Sequence, residues 1–244
     1  MIQKINSSQF IGHGPIKVLY PGSAVSTTDT GIGSIGRIDH PEINNNTVIK
    51  MHPHINDEIL SYFRTGEAEH SDSEGFVKII GRKTLMLMKA GRSFFHEEKI
   101  MGQQETMEGL QIFIRPKKKD LNPEVVFLEL DSLHSENNWR LIGSPNPETE
   151  FQFSSQTWIY DMKLLSGRAS EIPELPKKNL TALLYVFQGS VQVNGNIALN
   201  KKECIVFKNE AVSIQVSEDA ELVLFLTDEE GEIYKDGMYS GNQM

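Results

Sequence analysis

At 244 residues, with 39% hydrophobic and 23% charged side chains, the chain is larger than a usual single-domain core and has the composition of a soluble two-domain protein. Its 24 basic and 33 acidic side chains leave a formal charge of −9, which repels phosphate backbones and argues against nucleic-acid binding by the chain itself. No apolar run approaches the roughly 18 to 20 residues that span a bilayer, so membrane insertion is excluded as an expectation, and the single cysteine, Cys204, has no partner for an internal disulfide.

The amino terminus, MIQKINSSQFIGHGP, has no continuous apolar stretch and no small-residue cleavage pattern, so a cytoplasmic location is expected. GIGSIG at 31–36 and the asparagines at 44–46 read as turns. Beyond them the apolar positions alternate in short runs broken by turn residues, the pattern of many short β-strands. EILSYFRTGEAEHSDSEGFVKII at 58–80 holds two strand-like pieces, the first ending at a turn on Gly66 and the second re-entering after Ser71, Asp72 and Gly75. TLMLMKAGRSFFHEE at 84–98 gives a strand, a turn at Gly91 and a strand carrying His96, and LQIFIRP closes that half. Met86 and Met88 are expected in the core. The basic run RPKKKD at 115–120 reads as a solvated loop.

The second half repeats the first. LLYVFQGSVQVNG at 183–195 lies over LSYFRTGEAEHSD at 60–72, with Gly189 against Gly66, and CIVFKNEAVSIQV and ELVLFLTD lie over LMLMKAGRSFFHE and GLQIFIRP. A repeated unit of short strands points to an all-β protein of two barrel or jelly-roll modules. The boundary is expected within SLHSENNWRLIGSPNPETE, dividing the chain into 1–140 and 141–244, with Trp139 and Trp158 filling a core between the modules. Cys204, inside KECIVF, is expected to pack in a strand.

All seven histidines, at 13, 40, 52, 54, 70, 96 and 134, fall in the first 134 residues, so a histidine site belongs to the first module. On a strand, side chains two apart share a face: His52 with His54 in HPH, and His96 with Glu98 in FFHEE, while Glu97 faces away. Two such pairs on neighbouring strands converge, and three imidazoles with one carboxylate suit a divalent first-row metal with positions left open for water or substrate. The competing reading, histidines in wet loops beside Pro53 and Asn56, is weakened by the apolar strands that adjoin both pairs. His13, His40, His70 and His134 read as turn, loop or linker residues. Phe94 shares parity with His96 and is expected to line the pocket, and Phe95 to pack between layers. Glu58 either hydrogen-bonds a ligand from behind or pairs with a lysine at the surface.

These residues carry a resemblance. HPHINDEILSYFRTGEAEHSDSEG followed by AGRSFFHEE resembles the pattern of the pirin family, bicupins whose bacterial members are known for quercetinase-like activity. The resemblance implies two tandem cupin (jelly-roll β-barrel) domains, the first metal-binding and the second degenerate and without ligands. It implies metal ligands at His52, His54, His96 and Glu98, most readily for iron(II), with nickel, cobalt, copper and manganese accepted by related cupins. It implies a quercetin 2,3-dioxygenase-like oxidoreductase that uses dioxygen on flavonol-like or other enediol and hydroxyketone substrates, with Glu98 as the catalytic proton acceptor. The alternative it allows is a non-enzymatic metal- or redox-sensing protein that binds a regulatory protein partner, for which RPKKKD is the favouring feature. Ile55 and Asn56 stand where many relatives carry a basic residue after His-Pro-His, making the rim less positive.

Overall fold

The computed structural model describes residues 1–9, 12, 15–20, 31–102 and 106–241, and His13 lies outside them. Regular structure is almost entirely strand. In chain order the first strands are β1 (Gln3–Ile5), β2 (Ile16–Tyr20), β3 (Ile35–Ile43), β4 (Val48–His54), β5 (Glu58–Thr65), β6 (Glu67–Asp72) and β7 (Val77–Gly81). There follow β8 (Thr84–Lys89), β9 (Phe94–Met101), β10 (Met107–Ile114), β11 (Glu124–Glu129), β12 (Arg140–Gly143), β13 (Thr157–Leu164) and β14 (Ala169–Glu171). The last are β15 (Thr181–Gln188), β16 (Ser190–Val193), β17 (Ile197–Asn200), β18 (Cys204–Lys208), β19 (Ser213–Gln215) and β20 (Ala220–Thr227). Among the described residues no helix is long and apolar enough to cross a membrane.

Two compact units emerge, each assembled from three segments: residues 10–133, 153–155 and 231–244 form one, and residues 1–9, 134–152 and 156–230 the other. A single cut near residue 140 therefore does not describe them, because each chain end belongs with the opposite half. In the first unit a six-stranded sheet, β11-β8-β5-β10-β3-β2, accompanies a four-stranded sheet, β4-β9-β6-β7. The second unit repeats this with β1-β18-β15-β20-β13-β12 and β14-β19-β16-β17. Each is a two-sheet jelly roll, one way an antiparallel fold manages its edges. The expected barrel is thus flattened into two sheets facing each other across one core.

In the first unit that core takes Ile59, Phe63, Met86 and Met88 from the larger sheet and Phe94 and Ile100 from the smaller. The turns expected at Gly66, Gly75 and Gly91 are present, with φ of 68°, 93° and 53°, a region glycine enters without steric penalty. At Gly91 a Cβ would stand 2.1 Å from the Leu121 carbonyl oxygen, so the close approach requires glycine as well.

Four expectations are corrected. Trp158 lies in the core of the second unit and Trp139 packs against it, instead of filling a core between modules. The stretch read as a linker contains β12, paired with β13. In RPKKKD the lysines are exposed but Arg115 is among the largest fully buried side chains. Phe95 is 42% exposed, because the sheet face it occupies points away from the core. Cys204 is buried as expected, and burial pushes its thiol up to about 12.

Candidate metal centre

HPH occupies the end of β4, an edge strand of the smaller sheet, where a proline lacking an N–H is tolerated. The chain then turns through Asn56 at φ 56°, its N–H given to Gly91 O and its Oδ1 accepting from Asp120 N, while Ile55 is exposed. The departure from a basic residue at this point is therefore a turn built on asparagine. β9 lies beside β4 with His96 opposite His52 and Phe94 opposite His54, and β6 lies on the other side of β9 with Asp72 opposite His96 and His70 opposite Glu98. Along β9, Phe94, His96 and Glu98 are buried while Phe95 and Lys99 are exposed, the alternation of an inner and an outer face.

The three imidazoles meet at their Nε2 atoms: His52 to His54 is 3.1 Å, His54 to His96 2.9 Å, and His96 to His52 3.0 Å. Three nitrogens each about 2.1 Å from a common cation would stand roughly 3.0 to 3.4 Å apart, and the observed spacing is close to the short end of that range, so His52, His54 and His96 would suit one first-row cation.

The protonation states agree with donor roles. His52 Nδ1 lies 2.9 Å from the Lys50 carbonyl oxygen, an acceptor only, so Nδ1 carries the proton and Nε2 presents its lone pair. Burial lowers the His52 pKa, and burial followed by repulsion from His54, His52 and His70 drives His96 down to about 2, so both rings are neutral. Three ring nitrogens facing one another in a largely buried site fit a cation between them.

His70, read from the sequence as a turn residue, is fully buried on β6. Its Nε2 lies 2.7 Å from Asp72 Oδ2 and its Nδ1 3.4 Å from His96 Nδ1. The tautomers consistent with these contacts run in one direction: His70 Nε2–H donates to Asp72, leaving His70 Nδ1 to accept from His96 Nδ1–H, which frees His96 Nε2 toward the triangle. Burial keeps His70 neutral by lowering its pKa against the pull of Asp72. A metal-bound histidine is characteristically fixed in this way through its second nitrogen. The signal that could have found the pair was His-x-Asp with strand parity on a third strand. His40, also read as a loop residue, is buried on β3 with its Nε2 2.8 Å from Glu108 Oε1.

Glu98 shares the inner face with His96 but lies outside the Nε2 triangle. Its Oε1 is 3.9 Å from His96 Nδ1 and 3.5 Å from Gln111 Nε2, and its carboxylate groups with His70 and His96. It opens on a small cavity that Asp39 and Gln111 also line. Burial pushes its carboxyl up to about 7. Phe94 is fully buried in the core, its ring centroid 6.3 Å from that of His96. The Glu58 carboxylate accepts from Ser154 N at 3.2 and 3.1 Å, so its hydrogen bonding goes to that segment and not to a histidine.

The pirin family profile matches residues 24–114. Quercetin 2,3-dioxygenase of Escherichia coli (strain K12) is 24% identical over 228 residues, covering 92% of this chain and 96% of that protein. A pirin-like protein of Caulobacter vibrioides is 28% identical over 236 residues, covering 87% and 92%. Among solved structures, a bacterial pirin from Escherichia coli in complex with nickel(II) superimposes with a TM-score of 0.80 at 21% identity, over 93% of this chain and 99% of that one. At that identity the likeness establishes the fold.

Proposed function

We propose that this chain, whose residues 24–114 match the pirin profile, is a pirin-family metal-dependent dioxygenase of flavonol-like (quercetin-type) or other enediol and hydroxyketone substrates, with iron(II) as the metal. The observation that carries the reading is the triangle of three Nε2 atoms 2.9 to 3.1 Å apart. The name borne by the Escherichia coli relative supports the substrate class. A divalent metal held by His52, His54 and His96 supplies Lewis acidity toward substrate oxygens. The three rings act as donors through Nε2, with His70 and Asp72 setting the tautomer of His96. Glu98 is assigned as proton acceptor for the substrate hydroxyl and as fourth donor. In the metal-free protein burial raises its carboxyl to about 7, and a bound cation would draw it back toward the carboxylate form that accepts a proton.

The test is elemental analysis of purified protein, then aerobic reconstitution with iron, nickel, cobalt, copper or manganese and loss of flavonol absorbance. Turnover with one of them is expected, and none with any of the five refutes the activity. A second reading, metal-dependent docking of a protein partner, is favoured by one observation: Phe95, Val77 and Ile79, 42%, 70% and 45% exposed, share the outer face of the sheet whose inner face carries the histidines. Pull-down with and without chelator distinguishes it.

A further inference from the structure

The three histidines differ in what stands behind them. The second nitrogen of His52 reaches the Lys50 carbonyl and that of His96 faces His70, both partners within the same sheet. His54 Nδ1, buried, has no hydrogen-bond partner among the described residues. Asp57 Oδ2 is 3.7 Å from it, beyond hydrogen-bond reach, so the attraction is that of a charge for a ring dipole. Against the ring lies Tyr239, with centroids 4.9 Å apart.

Both neighbours are held by the chain's last residues. Tyr239 N donates to the Asp57 carboxylate at 3.2 and 3.1 Å, and Ser240 N and Oγ donate to Oδ1 at 2.9 and 2.7 Å. The segment is tied down by Met238 N to Ile55 O at 2.9 Å and Tyr234 N to Pro116 O at 2.7 Å. The buried Arg115 gives Nε to Ser240 O at 3.0 Å. A Cβ on Gly36 would stand 2.3 Å from that same oxygen, so glycine there lets the segment lie down. The Tyr239 ring also meets Phe113, 5.4 Å between centroids, and the Arg37 guanidinium at 5.8 Å, and packs against the core of this unit. With only two side-chain torsions, a tyrosine packed on several sides is a rigid support.

We propose that this carboxy-terminal strap, residues 237–241, is a positioning element of the metal centre: Tyr239 fixes the plane of the His54 ring, and the strap's hydrogen bonds hold the Asp57 charge behind Nδ1. The inference rests on the reading of the histidine triangle as a metal site. Held by three donors, Tyr239 N–H and the Ser240 N–H and O–H, Asp57 is fixed behind the ring, and its charge strengthens His54 as a donor.

Full-length protein titrated with cobalt(II) alone, against a chromophoric chelator, tests the inference. Tyr239→Leu and Asp57→Asn should each weaken cobalt binding about tenfold or more, the usual scale for groups behind a metal ligand, and alter the visible cobalt spectrum. Tyr239→Phe, which keeps the ring, should stay within about twofold of wild type. Because coupling is reciprocal, cobalt should slow trimming of the wild-type chain past Tyr239 by carboxypeptidase, a readout independent of any variant's folding. Folded Tyr239→Leu and Asp57→Asn proteins that bind within about twofold of wild type overturn the proposal, as do equal trimming rates with and without cobalt. Failure of the wild type to bind cobalt sinks the metal site itself, whereas absence of flavonol turnover with these effects intact sinks only the activity.

Discussion

Replacing Glu58 by glutamine should stabilise the first unit at alkaline pH and change little at acid pH. The carboxyl is 2% exposed, and burial lifts it from 4.5 to about 7 despite the opposing Ser154 hydrogen bonds and Lys89 charge. Because the folded-state pKa is raised, the native state binds this proton more tightly than the unfolded chain. The stability so conferred is complete below about 4.5 and is lost as pH rises through about 7. The gap from 4.5 to about 7, at about 1.4 kcal/mol per tenfold in proton affinity, amounts to about 3 kcal/mol. Glutamine keeps an oxygen for Ser154 N without ionising, so the variant should exceed wild type by about 3 kcal/mol at pH 8 and by a small fraction of that at pH 4.5. Urea denaturation of metal-free protein at the two pH values measures the difference. Circular dichroism follows both units, while tryptophan fluorescence follows the second, which holds Trp139 and Trp158, and serves as an internal reference. Equal stability of variant and wild type at pH 8, or a loss in the variant at both pH values, would refute the reasoning.

Other expectations attach to the centre itself. His52→Ala, His54→Ala and His96→Ala should each abolish stoichiometric metal by elemental analysis, whereas Glu97→Ala, on the outer face, should leave it intact. His70→Ala should weaken metal binding about 10- to 100-fold in a chelator competition, and Asp72→Asn should do so to a lesser degree. Glu98→Gln should lower flavonol turnover about 100-fold or more if Glu98 is the base, with substrate consumption as the readout. Phe94→Ala should cost about 3 to 5 kcal/mol in urea denaturation, because the ring is fully buried between the sheets.

Strand parity made much of the centre legible. His52, His54 and His96 come together because alternation on paired strands is a local property, readable from HPH and FFHEE without coordinates. Parity also places Glu98 on the inner face, yet it carries no distance, and the carboxylate stands 3.9 Å from His96 Nδ1. His70 was misread because SDSEG looks like a turn, whereas β6 runs through to Asp72 before the chain reverses. Phe95 was misread because apolar character predicts burial only where another layer covers the face, and that outer face is uncovered.

By itself the sequence determined the alternation of inward and outward side chains, the glycine turns and the internal repeat, all consequences of backbone geometry over a few residues. Tertiary structure alone decided what stands behind each histidine: His70 from a different strand for His96, and Asp57 secured by Tyr239 and Ser240, some 182 and 183 residues along the chain, for His54. Contacts between segments so far apart depend on how the two sheets close around one core, which no local periodicity records.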